Sequence, residues 1–234
     1  MKNILVYIDR NFNSWADRAV QIQIDNSLEL GWAREDIWLL TNFPYEYNGV
    51  AATVLEDVAF PPSPTVAKIN AVLKLFEKGM IAGDVYWVHD LDAFQVNPFE
   101  EDPIKGYDMG VCNYGRMPMW AAGTIFFNKD SQDIFQALKD YSYKHKATEQ
   151  KAMCSVVGYS FDESRRTPMG KRVKLLNISY NFNTCNMRSN WKQADKPLKV
   201  VHFHLTPDMM DIFVGGKNPV GLDLVSERFR KHFI

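Results

Sequence analysis

The N-terminal part of the chain alternates between strand-like and helix-like patterns, and this alternation limits the possible folds more than any other feature. Residues 3–9 and 36–41 are short runs rich in apolar residues, as is typical of buried strands. Between them, apolar residues recur at four-residue intervals, as on one face of a helix: Ala16, Val20, Ile24 and Leu28. Ser14 is predicted to cap this helix, and Gly31 is predicted to end it. A strand, a helix and a second strand in succession predict the start of a parallel α/β sheet.

The rest of the chain continues the alternation. Further strands are predicted at residues 52–55, 84–88, 107–113, 123–128, 173–178 and 199–204. Helices are predicted at residues 63–79, 134–141, 148–157 and 222–233. The chain has 234 residues, 46% of them hydrophobic, and no repeat or convincing linker divides it. We therefore predict one α/β domain with a sizeable core.

Charge is unevenly distributed along the chain, although the net charge is only −1. From Arg165 onward there are 13 Lys and Arg residues against 5 Asp and Glu, whereas the first 164 residues hold 14 against 23. The basic C-terminal third would suit a diphosphate, an anionic acceptor, nucleic acid or a membrane surface, or it simply complements the acidic part.

Cysteine use and hydropathy bear on the compartment. Cys112, Cys154 and Cys185 are widely spaced and odd in number, which favours a reducing environment. The N-terminal apolar run is too short for a signal peptide, and no stretch approaches the roughly 20 apolar residues of a membrane-spanning helix. We expect a cytoplasmic protein.

Two carboxylates follow the predicted strand at residues 84–88, in the sequence Asp90-Leu91-Asp92. Alternate residues of an extended chain point the same way, so Asp90 and Asp92 are predicted to lie together where the strand leaves the core. Paired carboxylates suit Mn²⁺ or Mg²⁺, which often also contact phosphate oxygens. An Asp-x-Asp sequence is common by chance, and its context beside a buried strand is what favours a metal site.

Two histidines, His202 and His204, share one face of the late strand at residues 199–204. An imidazole can complete a two-aspartate site for Mn²⁺. A histidine on an apolar strand is more often a core residue, so the pair is a candidate rather than an assignment.

The order of these features resembles the GT-A fold of nucleotide-sugar glycosyltransferases, and most closely family 8, which includes glycogenin and bacterial galactosyltransferases. The matching stretches run along most of the chain: residues 7–12 after the first strand, Asp90-Leu91-Asp92, residues 122–128, Glu149-Gln150, residues 180–183 and Val201-His202-Phe203. The chain departs from the family pattern at Ala122, which replaces a polar residue, and at Glu149, which replaces an aspartate. The family's G-x-x-K-P-W sequence is missing.

The resemblance implies a single GT-A domain over residues 1–234, a Rossmann-like α/β fold in which helices flank a mixed, mostly parallel central sheet. Residues 1–115 would form the nucleotide-binding half, and residues 116–234 the acceptor half. The resemblance implies metal ligation by Asp90, Asp92 and His202, which favours His202 over His204.

The remaining site residues also follow from the resemblance. Contacts to the donor nucleotide or its diphosphate are implied for Tyr7, Asp9, Arg10, Asn11, Phe12, Asp90 and Gly123. Lys217 is predicted to stand in for the missing phosphate-binding lysine, and Glu149 and Gln150 are predicted to lie near the reacting sugar.

The implied activity is transfer of a sugar from a nucleoside-diphosphate sugar, most often a UDP-sugar, with retention of configuration and with Mn²⁺ or Mg²⁺ as cofactor. The acceptor is open: a glycan or glycoconjugate is favoured, and a modified nucleic acid is an alternative.

Three other classes of protein were weighed. A haloacid dehalogenase-type phosphatase needs Thr or Val at position 94, where this chain has Phe94. A sugar nucleotidyltransferase needs a glycine-rich phosphate loop after its first strand, and residues 9–14 contain no glycine. A non-catalytic protein that binds carbohydrate or sugar nucleotides remains an alternative.

Overall fold

The computed structural model describes residues 1–11, 13–56, 66–83, 85–99, 102–115, 119–159 and 163–203. Three residues singled out above, Phe12, His204 and Lys217, lie outside these ranges, as does the predicted C-terminal helix at residues 222–233. The predictions for them stay predictions.

The described strands and helices follow the alternation expected from the sequence. The strands are β1 (Lys2–Tyr7), β2 (Ile37–Thr41), β3 (Glu46–Tyr47), β4 (Val50–Ala51), β5 (Thr53–Val54), β6 (Tyr86–His89), β7 (Ala93–Gln95), β8 (Met109–Asn113), β9 (Trp120–Phe127), β10 (Val173–Leu175), β11 (Phe182–Asn183) and β12 (Val200–His202). The helices are α1 (Ser14–Glu29), α2 (Ala67–Glu77), α3 (Gln132–His145), α4 (Glu149–Val156) and α5 (Met187–Gln193).

The central sheet has seven strands in the order β10-β8-β9-β6-β1-β2-β5. Four neighbouring pairs are parallel, and β9 runs antiparallel to both of its neighbours. Strands β6, β8 and β9 are buried at every residue, as expected for a sheet covered on both faces. The predicted fold class, a mixed and mostly parallel α/β sheet, is confirmed.

Helix α1 connects the parallel strands β1 and β2 and packs on the sheet through the predicted stripe, with Ala16, Val20 and Ile24 buried against Leu5 and Leu39. The predicted cap is wrong by one residue. The side chain of Asn13, not Ser14, accepts hydrogen bonds from the backbone N–H groups of the first turn, because residue 14 already has helical geometry and only the residue before it can fold back. Gly31 follows the helix with φ of 94°, as predicted for its end.

A second, smaller sheet has the strand order β11-β12-β7. Strand β7 directly follows the Asp90-Leu91-Asp92 segment and pairs antiparallel with β12, so that His202 lies opposite Ala93. The backbone N–H of Phe203 donates to the carbonyl oxygen of Asp92 at 3.1 Å. This small sheet therefore joins two distant parts of the chain at one end of the central sheet.

Strands β3, β4, β7 and β11 and helix α5 were not expected from the sequence. Strand β7 has only three residues, and the β3–β4 hairpin lies in a region rich in Tyr, Asn and Gly. Strands this short carry too few residues for an alternation to show. Within the part of the chain that the structure describes, no helix is both long and apolar enough to cross a membrane.

Candidate metal centre

Asp90, Asp92 and His202 form one cluster at the end of β6. Nε2 of His202 lies 3.1 Å from Oδ1 of Asp92 and 3.8 Å from Oδ2 of Asp90. One ligand atom from each residue lies within 4.8 Å of the other two. A single cation can therefore contact two carboxylate oxygens and one imidazole nitrogen. The structure brings together the three residues predicted as metal ligands.

The reason that the two aspartates lie together differs from the one expected. Strand β6 ends at His89, and residues 91–92 form a turn in which the N–H of Ala93 donates to the carbonyl oxygen of Asp90 at 3.0 Å. Asp90 and Asp92 are therefore not alternate residues of one extended strand, and the pattern of side-chain directions in a strand does not explain their position. The turn, held on one side by β6 and on the other by β7, brings both carboxylates to the same side.

The ring of His202 is oriented by a buried amide. Nδ1 of His202 lies 3.1 Å from Oδ1 of Asn181, and Nδ2 of Asn181 donates to the carbonyl oxygen of Ala121 at 3.2 Å. With its amide nitrogen used in this way, Asn181 presents an acceptor to Nδ1, which must carry the hydrogen. Nε2 is then the nitrogen that faces the carboxylates, as metal coordination requires.

The electrostatics of the cluster favour a bound cation. Burial by itself lowers the pKa of His202, but Asp92 and Asp90 act in the opposite direction and together more strongly, so the pKa is raised above its ordinary value. A proton on Nε2 thus compensates the two carboxylates. Two hard oxygen ligands and one imidazole form a donor set that suits Mn²⁺, so these residues fit the predicted metal.

Gly123 lies against the cluster on strand β9. A Cβ atom there would lie 2.3 Å from Cε1 and Nδ1 of the His202 ring and 3.3 Å from Oδ2 of Asp90. Any side chain larger than hydrogen would displace the imidazole. Gly123 therefore packs closely on His202, and its predicted contact with a nucleotide stays a prediction.

Lys68, in the first turn of α2, is the site residue that the sequence reasoning missed. Its side chain is buried, and Nζ donates to Oδ1 of Asp90 at 2.7 Å, to the carbonyl oxygen of Ala122 at 2.5 Å and to Oε1 of Glu149 at 3.2 Å. Burial lowers the pKa of Lys68, but Asp90 and Glu149 outweigh it and the pKa is raised. One feature of the sequence could have revealed Lys68: it lies four residues before Val72, so it is a lysine on the otherwise apolar face of α2.

Glu149 is the first residue of α4 and is joined to the cluster through Lys68. It is 3% exposed, and burial raises its pKa to about 8, with Lys68 acting in the opposite direction. This shift favours the protonated form of the carboxyl group, and Lys68 lies within ion-pair distance of both Asp90 and Glu149. Oε2 of Glu149 has no hydrogen-bond partner within the described ranges.

Gln150 extends from α4 toward the end of β8. Its Nε2 donates to the hydroxyl group of Tyr114 at 3.1 Å. Burial raises the pKa of Tyr114, Gln150 opposes this, and Asp90 and Asp92 add to the rise. The phenol therefore feels the charges of Asp90 and Asp92, and Gln150 contacts this phenol.

The loop after β1 carries the predicted nucleotide contacts. The carboxylate of Asp9 accepts hydrogen bonds from the backbone N–H groups of Arg10 and Asn11, at 2.7 and 3.5 Å. The backbone of Asp9 is held by Asn42, whose side chain both donates to and accepts from it at 2.8 and 3.1 Å. Asp9 thus shapes the loop, and Arg10 and Asn11 are exposed on it.

Tyr7 supports this loop from beneath. It is 2% exposed, packs against Phe43, and its hydroxyl group donates to the carbonyl oxygen and accepts from the N–H of Asn13. The Tyr7 side chain belongs to the core and supports the loop, and its predicted contact with a nucleotide stays a prediction. The physical reason is that Tyr7 is still inside β1, where alternate side chains point into the core.

A cleft of about 140 Å³ opens at the carboxyl ends of β1 and β6. Val6 and Ile8 line it from the side of β1, Ala67 and Lys68 from the start of α2, and Asp90 from the end of β6. Ligands of open α/β sheets bind at this edge, outside the carboxyl ends of the strands. The metal cluster therefore lies where the fold is expected to bind its ligand.

No protein-family model matches the sequence, and no curated protein matches it. Solved structures do match. The galactosyltransferase LgtC, solved in complex with donor and acceptor sugar analogues, aligns with a TM-score of 0.59 and 13% identity over 99% of this chain and 100% of that chain. A glycosyltransferase involved in glycosylation of the major capsid of PBCV-1 aligns with a TM-score of 0.56 and 13% identity over 91% of this chain and 100% of that chain. GlyE of Streptococcus pneumoniae TIGR4 aligns with a TM-score of 0.58 and 15% identity over 88% of this chain and 55% of that chain.

These similarities concern the fold, because the identities are far too low to transfer an activity. The chain has the fold of these glycosyltransferases, and the predicted GT-A fold class is confirmed.

Proposed function

We propose that this protein is a metal-dependent glycosyltransferase that moves a sugar from a nucleoside-diphosphate sugar to an acceptor. One observation carries the proposal: two aspartates and a histidine meet at the carboxyl edge of a glycosyltransferase-type sheet, with atoms close enough to hold one cation. Asp90 and Asp92 bind the metal through carboxylate oxygens, and His202 binds it through Nε2. The imidazole favours Mn²⁺ over Mg²⁺.

When bound, a divalent cation acts as a Lewis acid that stabilises the charge developing on the diphosphate leaving group. The chain's own residues prepare this site. Lys68 holds Oδ1 of Asp90, which leaves Oδ2 of the same carboxylate toward His202. Asn181 keeps a hydrogen on Nδ1 of His202, so that Nε2 is the nitrogen directed at the metal site.

Glu149 and Gln150 contact the donor sugar in this proposal. Burial raises the pKa of the Glu149 carboxyl group, which favours the protonated form, and a protonated carboxyl group can donate a hydrogen bond to a sugar hydroxyl. Gln150, already bonded to Tyr114, approaches the same sugar from the side of β8.

The loop after β1 binds the nucleotide. Asp9 and Asn42 hold the loop in shape, Tyr7 supports it, and Arg10 and Asn11 present exposed groups to the nucleotide. Phe12 and Lys217 retain the roles expected from the family resemblance, stacking on the base and contacting the diphosphate. The order of motifs favours family 8 and therefore a UDP-sugar donor with retention of configuration. A glycan or glycoconjugate is the preferred class of acceptor.

Thermal-shift measurements with a panel of nucleoside diphosphates and nucleotide sugars, with Mn²⁺ or with EDTA, test the donor site. We expect stabilisation by one nucleotide class that requires Mn²⁺. No stabilisation by any nucleoside diphosphate in the presence of Mn²⁺ would contradict the proposal.

Slow hydrolysis of the stabilising nucleotide sugar separates an enzyme from a binding protein. A glycosyltransferase without its acceptor is expected to release nucleoside diphosphate and free sugar in a Mn²⁺-dependent reaction. Tight binding without any hydrolysis or transfer would favour the non-catalytic alternative, and release of inorganic phosphate would favour a phosphatase.

A further inference from the structure

Helix α1 buries polar side chains beside its apolar stripe. Gln23, Asn26 and Ser27 lie at helical offsets of zero, three and four on one face, and they are 1%, 4% and 1% exposed. Burying a polar group costs free energy unless it is hydrogen-bonded. The hydrogen-bond partners of these three side chains therefore show which part of the protein this face of α1 supports.

Gln23 bonds to the backbone of the Asp90-Leu91-Asp92 turn. Its Nε2 donates one hydrogen to the carbonyl oxygen of Leu91 at 3.1 Å and the other to that of Ala93 at 2.9 Å. Both hydrogens of the amide are used, and the two carbonyl groups flank Asp92. One side chain of α1 thus spans the segment that carries the second metal ligand.

Ser27 reaches the same turn through a chain of buried side chains. Oγ of Ser27 accepts from Nδ2 of Asn3 at 2.9 Å, and Oδ1 of Asn3 lies 3.0 Å from Nε2 of His89. Nδ1 of His89 lies 2.9 Å from the carbonyl oxygen of Asp90. The ring stacks on Trp87 with centroids 3.8 Å apart, which fixes its plane.

We propose that Gln23 is a positioning residue for the metal centre: through the carbonyl groups of Leu91 and Ala93 it holds the turn in the geometry that places both carboxylates toward His202. This inference rests on the metal site of the proposed function. A turn is the least rigid kind of backbone, and this one must keep two like charges close together. The amide of Gln23 opposes the displacement of Asp92 that their repulsion favours.

Asn26 provides a matched control on the same face of α1. Its Nδ2 donates to the carbonyl oxygen of Gln95 at 2.7 Å, at the far end of β7 from the turn. Asn26 and Gln23 are both buried, and both donate to backbone carbonyl groups of residues 91–95. They differ in that Gln23 contacts the residues that flank Asp92.

The test compares the Mn²⁺ affinity of Gln23→Met and Asn26→Leu by titration without nucleotide, alongside their thermal stability in EDTA. Both variants are expected to lose stability. Gln23→Met is expected to weaken Mn²⁺ binding by about tenfold or more, as loss of a supporting hydrogen bond typically does, while Asn26→Leu keeps an affinity within about twofold of the wild type.

Equal Mn²⁺ affinity in Gln23→Met and wild type, or an equal loss in both variants, would overturn the inference. If Gln23→Met does not fold, Gln23→Asn replaces it, because its shorter side chain cannot reach both carbonyls; wild-type affinity in that variant would also overturn the inference. If the wild-type protein binds no Mn²⁺, the metal centre itself is overturned. If the wild-type protein binds Mn²⁺ and the Gln23 variant binds it with the same affinity, only the positioning role is overturned.

Discussion

Nε2 of His202 lies 3.1 Å from Oδ1 of Asp92, although the two residues are far apart in the sequence. The contact exists because β12 pairs with β7, the strand that directly follows the Asp90-Leu91-Asp92 turn. The two carboxylates and the imidazole therefore form a unit whose members are expected to act together on a metal.

Replacing Asp92 by Asn is expected to abolish Mn²⁺-dependent activity while leaving the fold intact. The change removes one anionic ligand but keeps the shape of the side chain, which lies at a partly accessible site and not in the core. Mn²⁺-dependent hydrolysis of the nucleotide sugar and thermal unfolding in EDTA measure the two effects. Asp140→Asn, at an exposed position on α3, is the control and should leave both unchanged. A fully active Asp92→Asn variant, or an unfolded one, would show that Asp92 is not a ligand.

His202→Ala is expected to weaken Mn²⁺ binding more than His204→Ala does. His202 faces both aspartates in the structure, so its loss removes the single nitrogen ligand of the cluster. Asn181→Ala should give an intermediate loss of about 10–100-fold, because the imidazole stays but its orientation is no longer held. Metal titration of the three variants checks the ranking. A stronger effect of His204→Ala would show that His204, and not His202, is the metal ligand.

Lys68→Met is expected to reduce both stability and metal affinity. The substitution removes the cation that contacts Asp90 and leaves the carbonyl oxygen of Ala122 and the carboxyl group of Glu149 without their donor. Loss of such buried partners costs about 2 kcal/mol or more of the free energy of unfolding. Urea unfolding measures it. Lys78→Met, just after α2, is the control, and equal stability of the two variants would contradict the role assigned to Lys68.

Gly123→Ala is expected to weaken Mn²⁺ binding by about tenfold or more. This is the loss of metal affinity that follows when the residues that orient a metal ligand are mutated. The added methyl group would overlap the ring of His202, which must move away from Asp92 and Asp90. Gly83→Ala is the control because a Cβ there meets no atom within 4 Å. If Gly123→Ala binds Mn²⁺ as well as the wild type does, the close packing of Gly123 on His202 has no functional consequence.

The stability of the metal-free protein is expected to fall as the pH drops from about 6.5 toward 4, in part because of His89. Burial lowers the pKa of His89 to about 4 in the folded state, whereas the unfolded chain takes up this proton near pH 6.5. Protons therefore favour the unfolded state across this interval. The effect amounts to about 2 kcal/mol between pH 7 and pH 5.

His89→Gln isolates this contribution, since the amide cannot titrate. Urea unfolding in EDTA at pH 7 and pH 5 should show a smaller loss of stability for the variant than for the wild type. The same pH dependence in both proteins would exclude His89 as its source.

The sequence by itself predicted the class of fold and the three residues that form the Asp-Asp-His cluster. The spacing of apolar residues predicts β1, α1 and β2 correctly, because period and turn residues are local properties of the chain. The position of Asp90 and Asp92 after a buried strand, and of His202 at the end of a late strand, marked three residues that the structure brings together. The motif order then gave a GT-A fold, which the structural similarities confirm.

The tertiary structure alone decided what surrounds those ligands. Nothing in the local pattern links Lys68 on α2 with Asp90, Asn181 with His202, or Gln23 on α1 with the turn. Each of these contacts depends on the order of strands in the two sheets and on which helix face covers them. A buried polar side chain is visible in a sequence only as an exception to an apolar stripe, and its partner is known only once distant elements have packed together.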